Sequence, residues 1–213
     1  SAASDVYKRQ FLLLQSPMEL ETWLGPQRDE ILQALESMMS LQFGRARQQI
    51  TNASLPPVQK EILRRLAHQM RTGEALPSKE IELKEIFTQP IWVRFQLAME
   101  AESNRSLVRS ETIYRSILEE VPEHPWVHAR LGSVYADLDQ LERSQQHHAR
   151  FLKIYPNAVW GNFRLAVLKT LQQEELEAIR LYQQVLSLQP DHAASLNNLA
   201  WTFLTSGDLK LRN

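Results

Sequence analysis

The chain of 213 residues has no cysteine. That absence excludes disulfides, thiolate metal sites and cysteine nucleophiles together. Glycine is scarce as well: there are six in the chain, and none builds a phosphate-cradling loop or a Gly-x-Ser-x-Gly nucleophile turn. An excess of either charge is also lacking, with 24 Lys and Arg against 25 Asp and Glu and a pI of about 6.6. Phosphate backbones are gripped by a pronounced basic excess, so nucleic-acid binding is not expected. The apolar run nearest the start, Phe11 to Leu14, is too short for a secretory core and far too short to span a bilayer. Compartment stays open between cytoplasm and periplasm. The apolar and charged fractions, 43% and 23%, are those of an ordinary globular protein of one or two domains.

What the chain does have is a period. Trp92, Trp126 and Trp160 stand 34 residues apart, and Leu97, Leu131, Leu165 and Leu199 keep the same step. So do the small residues Ala98, Gly132, Ala166 and Ala200, the set Ile117, Phe151 and Val185, and the prolines Pro122, Pro156 and Pro190. A 34-residue period with helical spacing inside each unit and a proline near its end is the mark of stacked helix-turn-helix units. Leu131-Gly132-x-x-Tyr135, Ala178-x-x-x-Tyr182 and the closing prolines resemble the tetratricopeptide repeat (TPR) family, over a little more than half of the chain. The resemblance implies an all-α, right-handed α-solenoid of helix-turn-helix repeats.

Three organisational segments follow. Residues 1–17 are expected to be a non-native or disordered tail, because SAASDVYKRQ at 1–10 looks like a translated sequencing adaptor. Residues 18–90 are read as a helical N-terminal cap with a degenerate repeat, and 91–213 as the TPR domain, with units 91–124, 125–158, 159–192 and a partial 193–213. In the cap, Ile31, Leu32, Leu35, Met38, Met39, Leu41 and Phe43 predict one helix over about 27–49. A second runs from Pro57 to a stop at Gly73, and a short one follows a cap at Ser78. First helices of the repeats are expected over 91–103, 125–138, 159–172 and 193–206, and second helices over 107–120, 141–154 and 175–188.

The tryptophans depart from the family pattern. The position where the family usually places a core Trp holds Arg94, His128, Asn162 and Leu196, and here Trp sits two residues earlier. Two residues rotate a helical side chain by about 200°. The Trp column is therefore expected to face the concave groove or the preceding repeat. Arg130 and Arg164 follow Trp126 and Trp160 by four residues, the spacing of neighbours on a helix face, and suggest stacked aromatic–cation pairs. The expected partner-binding groove comprises Trp92, Phe95, Gln96, Met99, Trp126, Arg130, Ser133, Trp160, Phe163, Arg164, Val167, Asn197 and Trp201.

A groove of this kind suits a protein or peptide ligand with acidic residues, and a protein-interaction scaffold is the expected function. The Lys and Asn carboxylate clamp of chaperone-tail binders is missing: the comparable positions hold Phe95 and Met99, Ala129 and Ser133, Phe163 and Val167. No catalytic residue, cofactor or metal is expected; His124, His128, His147 and His148 are read as exposed polar positions, and Glu174-Glu175 as a solvated helix face. The partial fourth unit, rich in Leu196, Leu199, Trp201, Phe203 and Leu204, is expected to self-associate if nothing covers it. The run at 196–201 resembles late repeats of large bacterial proteins. The alternative role is therefore an accessory region of a larger bacterial enzyme, such as a glycosyltransferase or sulfatase.

Overall fold

The computed structural model describes residues 24–72 and 81–205, and all regular structure among them is helical. The expected tail at 1–17, the stop at Gly73 and the cap at Ser78 lie outside the described residues. The chain divides into two compact units, 1–104 and 105–213.

In the first unit, α1 (Arg28–Met39) and α2 (Phe43–Asn52) pack together and meet α3 (Pro57–Thr72). The single helix expected over 27–49 is therefore two. Leu41 adopts φ 59°, Leu41 N–H donates to the Met38 carbonyl and Gln42 N–H to the Ser37 carbonyl. This is the double bond of a Schellman cap, which turns the chain with a left-handed residue. The apolar faces of these helices, Ile31, Ala34, Leu35 and Met38 with Ala46, Ile50, Ile62, Leu63 and Leu66, are buried as the core. A short α4 (Leu83–Ile86) precedes α5 (Ile91–Ser103), which buries Ile91 to Phe95 without interruption. Arg65 is buried in this unit and reaches the Glu100 carboxylate at 2.6 Å.

The second unit is a succession of antiparallel helices: α6 (Leu107–Glu120), α7 (Pro125–Asp137), α8 (Leu141–Ile154), α9 (Val159–Leu171), α10 (Glu175–Leu188) and α11 (Ala193–Thr205). The helix limits fall within one residue of those set by the period. First helices end in a left-handed residue at the same step, Arg105 (φ 60°), Asp139 (φ 59°) and Gln173 (φ 60°).

Small residues let the helices of a pair approach. A Cβ on Gly132 would lie 2.7 Å from the His148 ring, and Ser144 Oγ donates to the Gly132 carbonyl at 2.6 Å. In the next pair, Ala166, Ala178, Leu181 and Tyr182 form a buried cluster, with Phe163, Leu165, Val167 and Leu199 packed on it. Leu131, Ile113, Tyr114, Ile117, Phe151 and Val185 are buried too, so the column of Ile117, Phe151 and Val185 is interior packing.

Candidate peptide-binding face

Within the second unit, α9 touches both α7 and α11. These are the first helices of their repeats. On α9, Trp160, Arg164, Val167 and Leu171 recur at steps of four, three and four, the spacing of one helix face. Trp160, Arg164 and Leu171 are exposed and Val167 is half-buried. On α7, Trp126 and Arg130 are half-buried; on α11, Asn197 and Trp201 are exposed, Trp201 to 64%.

Both tryptophans rest on the same neighbour. Phe151 of α8 has its ring 5.4 Å from Trp126 and 5.9 Å, edge-on, from Trp160. Trp126 also meets Tyr155 at 6.0 Å, and Trp160 meets His148 at 5.5 Å. Trp160 thus packs against the second helix of the preceding repeat while 36% of its surface stays open. The Arg164 guanidinium carbon lies 5.6 Å from the Trp160 ring centre, a cation over an aromatic face. Arg164 has no carboxylate partner among the described residues.

Three of the expected groove residues are interior instead. Trp92 and Phe95 are 3% and 1% exposed in the first unit, because α5 is apolar through Ile91, Trp92, Val93 and Phe95 and buries that whole run. Ser133 is buried on α7. Gln96 and Met99 are half-buried on α5. Phe163 is half-buried against Tyr182 and His192, at 6.2 and 5.0 Å between ring centres.

The histidines are where residue type misleads most. His124, His128 and His148 are buried and His147 is half-buried, so they are not exposed polar positions. His124 caps α7, its Nδ1 accepting the Val127 N–H. His128 shares its column with the buried Arg94 and Asn162 and fills the position with a polar ring: Nε2 lies 2.9 Å from the Pro122 carbonyl and Nδ1 lies 2.8 Å from His147 Nδ1. His148 lies beneath Gly132 and Trp160. Burial holds the pKa of all four below the ordinary imidazole value, to about 4 for His124 and His147 and about 3 for His148. Their column positions carried this signal, since His148 shares a column with the buried Tyr114 and Tyr182.

Nearby polar contacts tie helices together. Tyr135 donates to Glu111 at 2.9 Å, with Arg143 5.5 Å over its ring. One repeat later the Tyr135 column holds Lys169, buried and paired with Glu174 at 2.9 Å and Gln145 at 3.1 Å. Glu174 is therefore a partner of a buried cation, not a purely solvated residue. Among the described residues, no helix is long and apolar enough to cross a membrane.

No family model matches the sequence, and no curated protein matches it. Solved structures match in shape. A crystal structure of MamA protein superposes with a TM-score of 0.51 at 15% identity, over 58% of this chain and 65% of its own length. MamA 41-end from Desulfovibrio magneticus RS-1 gives 0.52 at 11% identity, over 85% of this chain and 86% of that one. The first TPR of Spaghetti (RPAP3), solved bound to the HSP90 peptide SRMEEVD, gives 0.50 at 14% identity, over 59% and 95%. At these identities the likeness speaks to fold alone, and the fold is a TPR-like helical repeat.

Proposed function

We propose that the first-helix face of the second unit is a non-catalytic docking surface for an acidic peptide or protein segment. The observation that carries this reading is Arg164: exposed, stacked on Trp160, and without a carboxylate of its own among the described residues. An aromatic backing orients the guanidinium and lowers its cost of desolvation, which makes it an anchor for a carboxylate. Leu171 and Trp201 supply exposed apolar surface in the same unit, where aromatic and arginine anchors are typical binding hot spots. A structural neighbour, the first TPR of RPAP3, holds the peptide SRMEEVD, in which three of seven residues are acidic. The Lys and Asn clamp is absent here, so the carboxylate contact falls to arginine.

An array of unrelated peptides, graded from basic to acidic, tests the proposal with fluorescence anisotropy on the strongest binders. Acidic peptides carrying an apolar residue are expected to bind best. Arg164→Glu is expected to weaken them at least about tenfold, the loss of a charge-assisted pair worth about 1.5–3 kcal/mol. Equal binding by the parent chain and Arg164→Glu overturns the reading.

A further inference from the structure

We infer, resting on the docking surface proposed above, that its ligand is an extended segment with an acidic residue and a large apolar residue four positions apart. The segment lies along α9, its acid on Arg164 and its apolar side chain on Leu171. α9 fixes where a carboxylate can sit, because its cations Arg164 and Lys169 differ in access. Arg164 is exposed over Trp160, whereas Lys169 is buried and bound to Glu174 and Gln145. Leu171 is 59% exposed at the far end of the same stripe, and the half-buried Val167 lies between.

The neighbouring helices do not repeat this order. In the columns of Arg164, Val167 and Leu171, α7 holds Arg130, the buried Ser133 and Asp137, and α11 holds Asn198, Trp201 and Thr205. A cation followed by an apolar anchor therefore belongs to α9 among the three. At the position equivalent to Leu171, α7 offers a carboxylate, Asp137, held by Arg105 at 3.1 Å, which favours an uncharged ligand residue at that level. The four residues Trp160, Arg164, Val167 and Leu171 span an arc of about 60° at 100° per residue. A stripe one side chain wide suits an extended segment better than the broad flank of a helix.

The spacing follows from the rise of each chain. A helix rises about 1.5 Å per residue, so Leu171 lies about 10.5 Å along α9 from Arg164 and about 16.5 Å from Trp160. Helical side chains lean toward the N-terminus, so a carboxylate on the guanidinium stacked over Trp160 starts between those two levels. An extended segment rises about 3.3 Å per residue and turns alternate side chains to the same face. Even separations alone therefore put both anchors on α9. Two positions reach about 6.6 Å and six about 20 Å, both outside the window, whereas four reach about 13 Å, inside it. The ligand residue midway between the anchors faces Val167.

The test titrates the isotope-labelled full chain, followed by nuclear magnetic resonance, with peptides that carry one Glu and one Leu in a Thr-Ser background. Glu and Leu stand two to six positions apart, in both orders, at constant composition. In the better order, the four-position peptide is expected to bind at least about fivefold tighter than the three- and five-position peptides, from burial of its leucine. Leu171→Thr installs the residue of the next repeat, so the fold by circular dichroism is kept; it is expected to remove the spacing preference. Leu176→Thr, at a 70% exposed leucine of α10, is expected to leave that preference intact. Arg164→Glu is expected to weaken every spacing. A flat or odd-spaced profile, or a preference that survives Leu171→Thr, overturns the inferred spacing while loss of binding in Arg164→Glu still upholds the docking surface. Peptides that bind the parent and Arg164→Glu equally, or not at all, overturn both.

Discussion

His128 and Asn162, one 34-residue step apart, make the same bond. His128 Nε2 lies 2.9 Å from the Pro122 carbonyl and Asn162 Nδ2 lies 2.8 Å from the Pro156 carbonyl. Each carbonyl belongs to the proline that closes the preceding repeat, and proline can neither extend the helix nor donate a bond of its own. A polar side chain six residues later reaches back to it. A second Asn162 bond to the Ala158 carbonyl, at 3.0 Å, fixes the amide. Asn162→Ala removes both, and should lower the unfolding free energy by about 1–2 kcal/mol. Urea denaturation gives the midpoint; a variant as stable as the parent would show that water serves the carbonyl equally well.

Gly132 is small because His148 is close. An added Cβ would meet three ring atoms of His148 at 2.7–2.8 Å, and that ring is itself buried under Trp160. A buried ring cannot swing aside cheaply, so the gain in helix propensity from alanine is outweighed. Gly132→Ala is expected to destabilise by about 1–2 kcal/mol net. Adding His148→Ala to Gly132→Ala should recover part of that loss, and a strictly additive double mutant would refute the contact as the cause.

Leu41 sits at φ 59° and is 70% exposed. A γ-branched side chain gains nothing from the left-handed region, whereas Asp, the residue at the corresponding turn of α7, is among the types that tolerate it. Leu41→Gly should therefore raise stability by about 0.5–1 kcal/mol, and Asp139→Gly by less. Thermal melts of the two variants beside the parent decide it, and a lower Tm for Leu41→Gly would refute the backbone argument.

The same residue explains why the first unit was harder to read than the second. Nothing in Ser40-Leu41-Gln42 announces a turn, because neither glycine nor asparagine stands at the left-handed position, and the apolar spacing runs through the break. In the repeats, Pro122 and Pro156, the small column and Ile117, Phe151 and Val185 mark the helix limits three ways at once. The Trp shift was legible from spacing, and Arg164 does lie over Trp160. That Phe151 lies beside both Trp126 and Trp160 was not legible, since it depends on how α8 meets α7 and α9. The histidines failed for a related reason: polarity says exposed, whereas the column of Tyr114, His148 and Tyr182 says buried, and the column prevails.

Acid should destabilise the protein before its carboxylates titrate. In the unfolded chain imidazoles take up protons near pH 6.5, whereas in the fold burial keeps His124 and His147 neutral down to about 4 and His148 down to about 3. Above pH 6.5 both states are neutral and the stability is fully present. As pH falls below 6.5 the unfolded chain binds protons that the fold refuses, so stability is lost progressively until the folded values are reached. For the buried His124 and His148 the slope approaches about 1.4 kcal/mol per pH unit each. Urea midpoints measured at pH 7.5 and pH 5 should therefore fall with acid, a window that keeps most carboxylates ionised. His148→Tyr, which copies Tyr114 and Tyr182, should fold and lose its share of the slope. A midpoint that does not move between those two pH values would mean that the fold admits the protons after all.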